Sequence, residues 1–253
     1  MKIENDNESR RLEKRLSERF VKAMATYHLI ENDDRILVGL SGGKDSLLLT
    51  ELLAKRARIQ HPRFDLEALH VRMENIQYES DTAYLEHFCE QLGVRLHIVT
   101  TRFDVNVSSE AADLRRQKQP CFLCSWNRRK QLFNLAQELG CNKIALGHHQ
   151  DDILHTALMN LIYQGRFDTM PARLKMRKMP LSIIRPLCMI QEADISAYAM
   201  MKGYQKQAKA CPYENASHRT EVKGLYNAIE RMNPEARYSI WNAINATGKL
   251  IEE

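Results

Sequence analysis

Leu12, Leu16, Phe20, Met24 and Tyr27 recur at three- and four-residue spacing among charged neighbours, which predicts an amphipathic helix near the N-terminus. Residues 37–49 then read as an apolar run, a polar glycine loop and a second apolar run, the pattern of strand, loop and helix, with the helix over 47–58. Residues 66–71 read as a strand, 78–92 as a helix ended by Gly93, and 94–100 as another strand. A polar, poorly periodic stretch over 104–120 leads into Cys121-Phe122-Leu123-Cys124, a helix from about 125 to 139, a short strand at 143–146 and a helix over 153–163. After Gly165 comes a basic tract, then a strand at 182–184, a helix over 191–202 and a loop over 203–218. Residues 221–250 predict one or two helices interrupted near Pro234. Strand and helix alternate, so the fold class is α/β: a parallel sheet with helices on both faces and helical appendages at each end. The expected division is 1–30 as an N-terminal helix, 31–205 as the main domain including the Cys-x-x-Cys segment, and 206–253 as a C-terminal loop and helices.

Bulk composition narrows this little. A chain of 253 residues with 44% hydrophobic content can bury a substantial core. Residues 1–15 are dense in charge and lack an apolar segment, so they do not read as a secretory signal, and no stretch approaches a membrane span; a cytoplasmic protein without a membrane partner is expected. Thirty-seven Lys and Arg against thirty-two Asp and Glu permit an RNA partner without demanding one. The six cysteines then argue for thiol, metal or redox work over structural disulfides. Cys89, Cys141 and Cys188 sit inside apolar patterns and read as core.

The glycine loop carries the first chemistry. In Ser41-Gly42-Gly43-Lys44-Asp45-Ser46, adjacent glycines can take backbone angles closed to other residues, and Ser46 stands where a helix would begin, so backbone N–H groups can converge on an anion. The spacing differs from the nucleoside-triphosphate loop, because the glycines are adjacent and Asp45 separates Lys44 from Ser46. The hexapeptide resembles the PP-loop of ATP pyrophosphatases, in which the loop holds the pyrophosphate of ATP while a substrate oxygen attacks the α-phosphate. In an α/β sheet such a loop lies beyond the carboxyl ends of the strands, where ligands bind.

Cys121 and Cys124, at i and i+3, can face one metal centre, with Pro120 and the following helix holding the turn. Thiolates there suit zinc or an iron–sulfur cluster, and a dithiol redox pair competes. Cys211 is the natural third ligand, and His218 is the candidate fourth if the metal is zinc. Asp151 and Asp152 open a helix, where carboxylates cap and meet the helix dipole favourably. His148 and His149 read as packing or capping residues. The tract with Arg166, Arg173, Lys175, Arg177 and Lys178, interleaved with Met170, Met176 and Met179, and the run Arg115-Arg116-Gln117-Lys118, are candidate RNA-phosphate contacts or solvent-facing loops.

The PP-loop, Cys121-Phe122-Leu123-Cys124-Ser125-Trp126-Asn127-Arg128-Arg129, Gly147-His148-His149-Gln150-Asp151-Asp152-Ile153-Leu154, Met170-Pro171-Ala172-Arg173-Leu174 and Ile184-Arg185-Pro186-Leu187 occur in the order of the tRNA 2-thiocytidine synthetase family. The resemblance spans roughly residues 35–211. It implies an adenine nucleotide alpha hydrolase-like fold and an ATP-dependent tRNA sulfurtransferase that adenylates a cytidine C2 carbonyl in the anticodon loop and replaces its oxygen with sulfur. It implies ATP, Mg²⁺ and a [4Fe-4S] cluster on Cys121, Cys124 and Cys211 with one iron not ligated by protein. Nucleotide contacts fall on Ser41, Gly42, Gly43, Lys44, Asp45, Ser46, Val71 and Gly147, and catalytic roles on Asp45, Arg128 and Asp151. The implied partners are tRNA and a sulfur donor such as a cysteine desulfurase, and the resemblance allows a homodimer. Two departures stand out: Pro212-Tyr213-Glu214 follows Cys211 where relatives often carry a second cysteine, and His155 replaces a common Glu. The competing readings are a PP-loop enzyme that adenylates another base or small molecule without thiolation, and a metal-bearing RNA-binding module with a vestigial nucleotide site.

Overall fold

A computed structural model describes residues 2–74, 81–102, 120–205 and 218–253 of the protein. Its elements in chain order are α1 (Lys2–Thr26), β1 (Asp34–Gly39), α2 (Lys44–Ala57), β2 (Phe64–Met73), α3 (Thr82–Leu92), β3 (Arg95–Thr101), α4 (Pro120–Glu138), β4 (Lys143–Ala145), α5 (Gln150–Gln164), β5 (Arg173–Lys175), β6 (Ser182–Ile184), α6 (Glu192–Lys202), α7 (His218–Met232), α8 (Ala236–Ala246) and β7 (Ile251–Glu252). One sheet takes the order β3-β2-β1-β4-β6-β5-β7. The first five strands in that order are mutually parallel, β5 runs antiparallel to β6, and β7 is parallel to β5.

The order explains where a ligand can enter. From β1 the chain moves outward through β2 to β3, then returns to lay β4 on the other side of β1. The loops leaving the carboxyl ends of β1 and β4 therefore diverge and open a crevice between them. Residues 41–43 and 146–149 are those loops.

The apolar stripe of α1 is buried as its spacing predicts, with Leu16, Phe20 and Tyr27 nearly inaccessible. It joins one large core with apolar residues of α2, α3, α5, α6 and α8 on one face of the sheet. On the other face Leu132 and Ala136 of α4 pack with Leu37, Leu69, Val71 and Ile144. Helices thus cover both faces. Cys89, Cys141 and Cys188 are buried, and burial pushes all three thiols up, Cys89 to about 11. They are core residues without thiolate character.

Several boundaries differ from the pattern-based expectation. Helix α2 begins at Lys44, not near Ser46, because Gly43 takes the extended cap conformation and the Ser46 hydroxyl turns back to the Gly43 carbonyl at 2.9 Å. The Cys-x-x-Cys pair does not precede a helix but lies within the first two turns of α4, which starts at Pro120, a residue whose missing N–H costs nothing there. Strand β5 lies inside the basic tract, and β7 lies beyond α8. Within that tract Arg166, Lys175, Arg177 and Lys178 are exposed, while Met176 and Met179 turn onto the α4-side core. The run 115–118 lies outside the described residues.

Candidate functional site

The loop after β1 is shaped by glycine and serine. Gly42 has φ of +82°, a conformation that favours glycine, and it turns the chain sharply before α2. The Ser41 and Ser46 hydroxyls sit 3.1 Å apart, and the Ser41 N–H donates to Ser46 Oγ at 3.2 Å, which closes the loop on itself. The first helical hydrogen bond of α2 runs from the Leu47 N–H to the Gly43 carbonyl. The amides of Lys44, Asp45 and Ser46 therefore precede the ladder and point out of the helix N-terminus into the crevice, where the helix dipole favours an anion.

Lys44 Nζ lies 3.1 Å from Asp45 Oδ1 and 3.3 Å from Glu192 Oε1. Burial alone would lower the Lys44 pKa, but Asp45 and Glu192 outweigh it and leave the ammonium form favoured. Asp45 Oδ1 is inaccessible to solvent, and its one close partner is the Lys44 ammonium at 3.1 Å, without an aligned hydrogen bond. A carboxylate oxygen with lone pairs to spare at a phosphate loop suits a divalent cation. Among the described residues no three His, Cys, Asp or Glu side chains converge on a metal. The residues present fit Mg²⁺ in its usual manner with nucleotides, one or two carboxylates plus phosphate oxygens.

The loop after β4 packs directly on the PP-loop. A Cβ at Gly147 would stand 3.1 Å from both the Asp45 carbonyl carbon and the Ser46 amide nitrogen, so only glycine allows this approach. His149 follows as the N-cap of α5, and its N–H donates to Asp152 Oδ2 at 3.0 Å. Its ring lies 3.5 Å from Asp151 and 3.4 Å from Asp152. Burial would lower the His149 pKa, and the carboxylates of Asp151, Asp152 and Asp45 more than offset it, so the value is raised. His149 is thus a capping residue, as its position suggests, and three neighbouring acids favour its charged form.

Asp151, 8% exposed, is fully engaged. Its Oδ2 accepts the Glu192 N–H at 2.8 Å, and its Oδ1 accepts from Arg237 of α8 at 2.8 Å. Burial would raise its pKa, but His149, Arg237 and the Glu192 amide hold the carboxyl well below the usual carboxylate range. Arg237 also pairs with Glu230 at 2.9 Å and lies over the Tyr226 ring, whose edge meets His155 at 5.1 Å between centroids. The substitution at 155 is therefore an aromatic packing contact between α5 and α7. Burial lowers the His155 pKa, which keeps the ring neutral.

Three further polar residues contact the loops around the crevice without having been given a role by sequence. His70 on β2 is buried, and its Nδ1 lies 2.8 Å from the Leu40 carbonyl. Burial lowers its pKa first, and the positive charges of Arg128 and Arg72 lower it further. Arg185, just past β6, donates from Nε to His148 Nδ1 at 3.3 Å and from Nη1 to the Pro171 carbonyl at 2.5 Å. Burial brings its pKa down to about 10. Glu192 is the third. Only the Arg of Arg-Pro-Leu had a local signal, its place in a quoted motif.

Val71 is buried with its side chain in the α4-side core, so it can offer a nucleotide little beyond its main chain. Cys124 is half-buried in α4, whose N-terminus lies at the carboxyl end of the sheet because the helix returns from β3 to the parallel β4. Cys121 occupies the first turn of the same helix, with its side chain outside the described set, and Cys211 lies outside the described residues.

Residues 9–223 match the family model of the PP-loop domain. The tRNA-cytidine(32) 2-sulfurtransferase of Bordetella avium is 35% identical over 239 residues, 94% of this chain and 74% of that protein. The enzyme of the same name from Cellvibrio japonicus is 35% identical over 238 residues, 94% of this chain and 77% of its own length. Among solved structures, the U34-tRNA thiolase NcsA from Methanococcus maripaludis with its [4Fe-4S] cluster superposes with a TM-score of 0.69 at 27% identity, covering 91% of this chain and 77% of that one. With a PP-loop, a glycine-backed signature turn and a Cys-x-x-Cys helix gathered at one end of the sheet, and similarity running through nearly its whole length, the chain belongs to the PP-loop family, in the branch of the tRNA-cytidine(32) 2-sulfurtransferases.

Proposed function

We infer that the protein is an ATP-dependent tRNA-cytidine 2-sulfurtransferase. One observation carries this: a PP-loop and a Cys-x-x-Cys helix open onto the same end of the sheet in a chain 35% identical to enzymes of that name. A pyrimidine carbonyl oxygen is a poor leaving group. The cytidine O2 attacks the α-phosphorus of ATP, the bond to the bridging oxygen breaks, and pyrophosphate departs. Sulfur at the sulfide oxidation level then bonds to C2, and AMP leaves with the original oxygen.

The chain's own residues do the holding. The amides at the start of α2 and the Lys44 ammonium bind the pyrophosphate portion, where negative charge grows as the bond breaks. Asp45 would hold Mg²⁺ against the phosphates. Gly147 brings the signature turn against the loop, and Val71 offers its main chain to the base. Arg128 adds positive charge over the reacting phosphate. Asp151, pinned by Arg237, fixes the turn and the His149 ring 3.5 Å away. Cys121, Cys124 and Cys211 would carry a [4Fe-4S] cluster, whose chemistry is to position and deliver sulfur; three thiolates suit it. The substrate base is a cytidine of the anticodon loop, the sulfur donor is a protein such as a cysteine desulfurase, and the exposed Arg166, Lys175, Arg177 and Lys178 contact tRNA phosphates.

Anaerobic purification with iron and sulfide analysis, coupled to mass spectrometry of nucleosides from tRNA incubated with ATP and a sulfide source, tests the reading. About four iron and four sulfide per chain, with 2-thiocytidine formed, are expected, and Cys211→Ala should lose both while still binding ATP. Zinc without sulfide, or adenylation without thiolation, would refute it.

A further inference from the structure

Glu192 is the first residue of α6, and it is the point where the PP-loop, the signature turn and the C-terminal helices meet. Its Oε1 accepts from Lys44 Nζ at 3.3 Å, its Oε2 accepts from Lys223 Nζ of α7 at 2.8 Å, and its backbone N–H donates to Asp151 at 2.8 Å. The side chains of Lys44 and Glu192 are 31% and 32% exposed, so the pair is partly screened yet not a free surface contact. Lys44 shares its ammonium between Asp45 and Glu192, and Glu192 shares its carboxylate between Lys44 and Lys223. The four charges alternate in sign and cancel.

We propose that Glu192 is a positioning residue that acts as an internal competitor of pyrophosphate for Lys44. The inference rests on the PP-loop reading of residues 41–46. An incoming triphosphate needs the ammonium that Glu192 holds, and Lys223 then remains to neutralise the released carboxylate. After adenylation, pyrophosphate is left on a loop built to bind it. Release of that product requires a replacement anion for Lys44, and Glu192 is the carboxylate already within reach on a separate element. Asp45 also pairs with Lys44, at 3.1 Å, but it is the adjacent residue of the same loop and is assigned to the cation, whereas Glu192 comes from a separate element. Glu192 therefore weakens ground-state retention of the polyphosphate and helps product leave.

The sign of this effect separates it from a merely structural role. Glu192→Gln keeps the backbone N–H to Asp151 and a side-chain acceptor for Lys44, but removes the charge. Titration calorimetry of the full chain with magnesium pyrophosphate should show binding tightened roughly two- to fivefold, the range of a partly exposed charged pair. Steady-state thiolation should show a lower KM for ATP together with a lower kcat and stronger inhibition by pyrophosphate. Glu192→Asp, one methylene shorter, should move pyrophosphate binding in the same direction by less. Lys223→Met leaves Glu192 with Lys44 alone and should weaken pyrophosphate binding, an effect that shrinks in the Glu192→Gln background. Unchanged or weaker pyrophosphate binding in both Glu192 variants overturns the proposal. Lys44→Met reports on the underlying reading: if it leaves wild-type pyrophosphate affinity intact, residues 41–46 do not bind phosphate, whatever Glu192 does.

Discussion

Gly147 is where the geometry makes its hardest demand on the sequence. A methyl group at this position would stand 3.1 Å from Asp45 C and Ser46 N and 3.2 Å from Asp45 O, all backbone atoms of the first turn of α2. Ordinary carbon contacts lie near 3.5–4.0 Å, so the two loops must part by several tenths of an ångström. No flexible side chain can absorb this. Forcing a methyl into such a contact costs about 1–3 kcal/mol, which for a chain of this size lowers Tm by roughly 2–4 °C per kcal/mol. The larger consequence is functional, because the atoms displaced include an amide that faces the phosphate. Gly147→Ala is expected to weaken ATP binding by about tenfold or more, since a misplaced set of donors loses charge-assisted hydrogen bonds together. Calorimetry with ATP and a thermal melt read both effects. Gly224→Ala is the matched control: a Cβ there meets nothing within 4 Å inside α7, and alanine should stabilise that helix by about 0.5–1 kcal/mol with ATP affinity unchanged. ATP affinity in Gly147→Ala within twofold of wild type would refute the claim that close packing of the signature turn sets the phosphate site.

Arg237→Met should destabilise the protein by about 2–4 kcal/mol near neutral pH, because it leaves the buried Asp151 carboxylate without its guanidinium. The Asp151 pKa is depressed in the folded state, so the stabilisation is fully present above the unfolded value of about 3.9 and is lost as pH falls through the depressed folded value; denaturation of both proteins should show a steady gap down to about pH 4 and a narrowing one from there to about pH 2, and a gap constant over that lower range would exclude the pair as its source. Binding of tRNA should fall linearly on a plot of log affinity against log salt, and the Arg177→Gln, Lys178→Gln double variant should flatten the slope by about one to two phosphate contacts in filter binding; an unchanged slope would remove that stretch from the RNA-binding surface.

Much of the fold was legible because burial imposes periods. The α1 stripe, the closing Gly93 and the break near Pro234 between α7 and α8 are local signals, and each appears where its spacing or backbone chemistry requires. Gly93 takes φ of +70°, as a helix-ending glycine should. Strands β5 and β7 carried no such signal. Arg173-Leu174-Lys175 is one apolar residue between two cations, and Ile251-Glu252 is shorter still. β5 exists because β6 offers an edge and β7 because β5 then offers the next, and β7 meets its partner from far along the chain. The α2 boundary was misread for another reason: Ser46 has a capping side chain, but its hydroxyl is taken by loop closure and Gly43 serves as the cap.

The site divides in the same way. Residues proposed to face the nucleotide must crowd around one small anion, so they come from single loops and leave contiguous motifs such as 41–46 and 147–152. Residues that hold those loops in place are under no such constraint. Glu192 meets Lys44 across 148 positions, and Arg237 meets Asp151 across 86. No spacing rule connects them. His155 shows the consequence. Read locally, it is a lost carboxylate two turns into a helix. In the structure its neutral ring packs on Tyr226, the Tyr226 ring lies under Arg237, and Arg237 pins Asp151. A third carboxylate on α5 beside Asp151 and Asp152 would instead compete for that same guanidinium. The aromatic ring at 155 therefore packs beneath this arrangement and leaves Arg237 to Asp151.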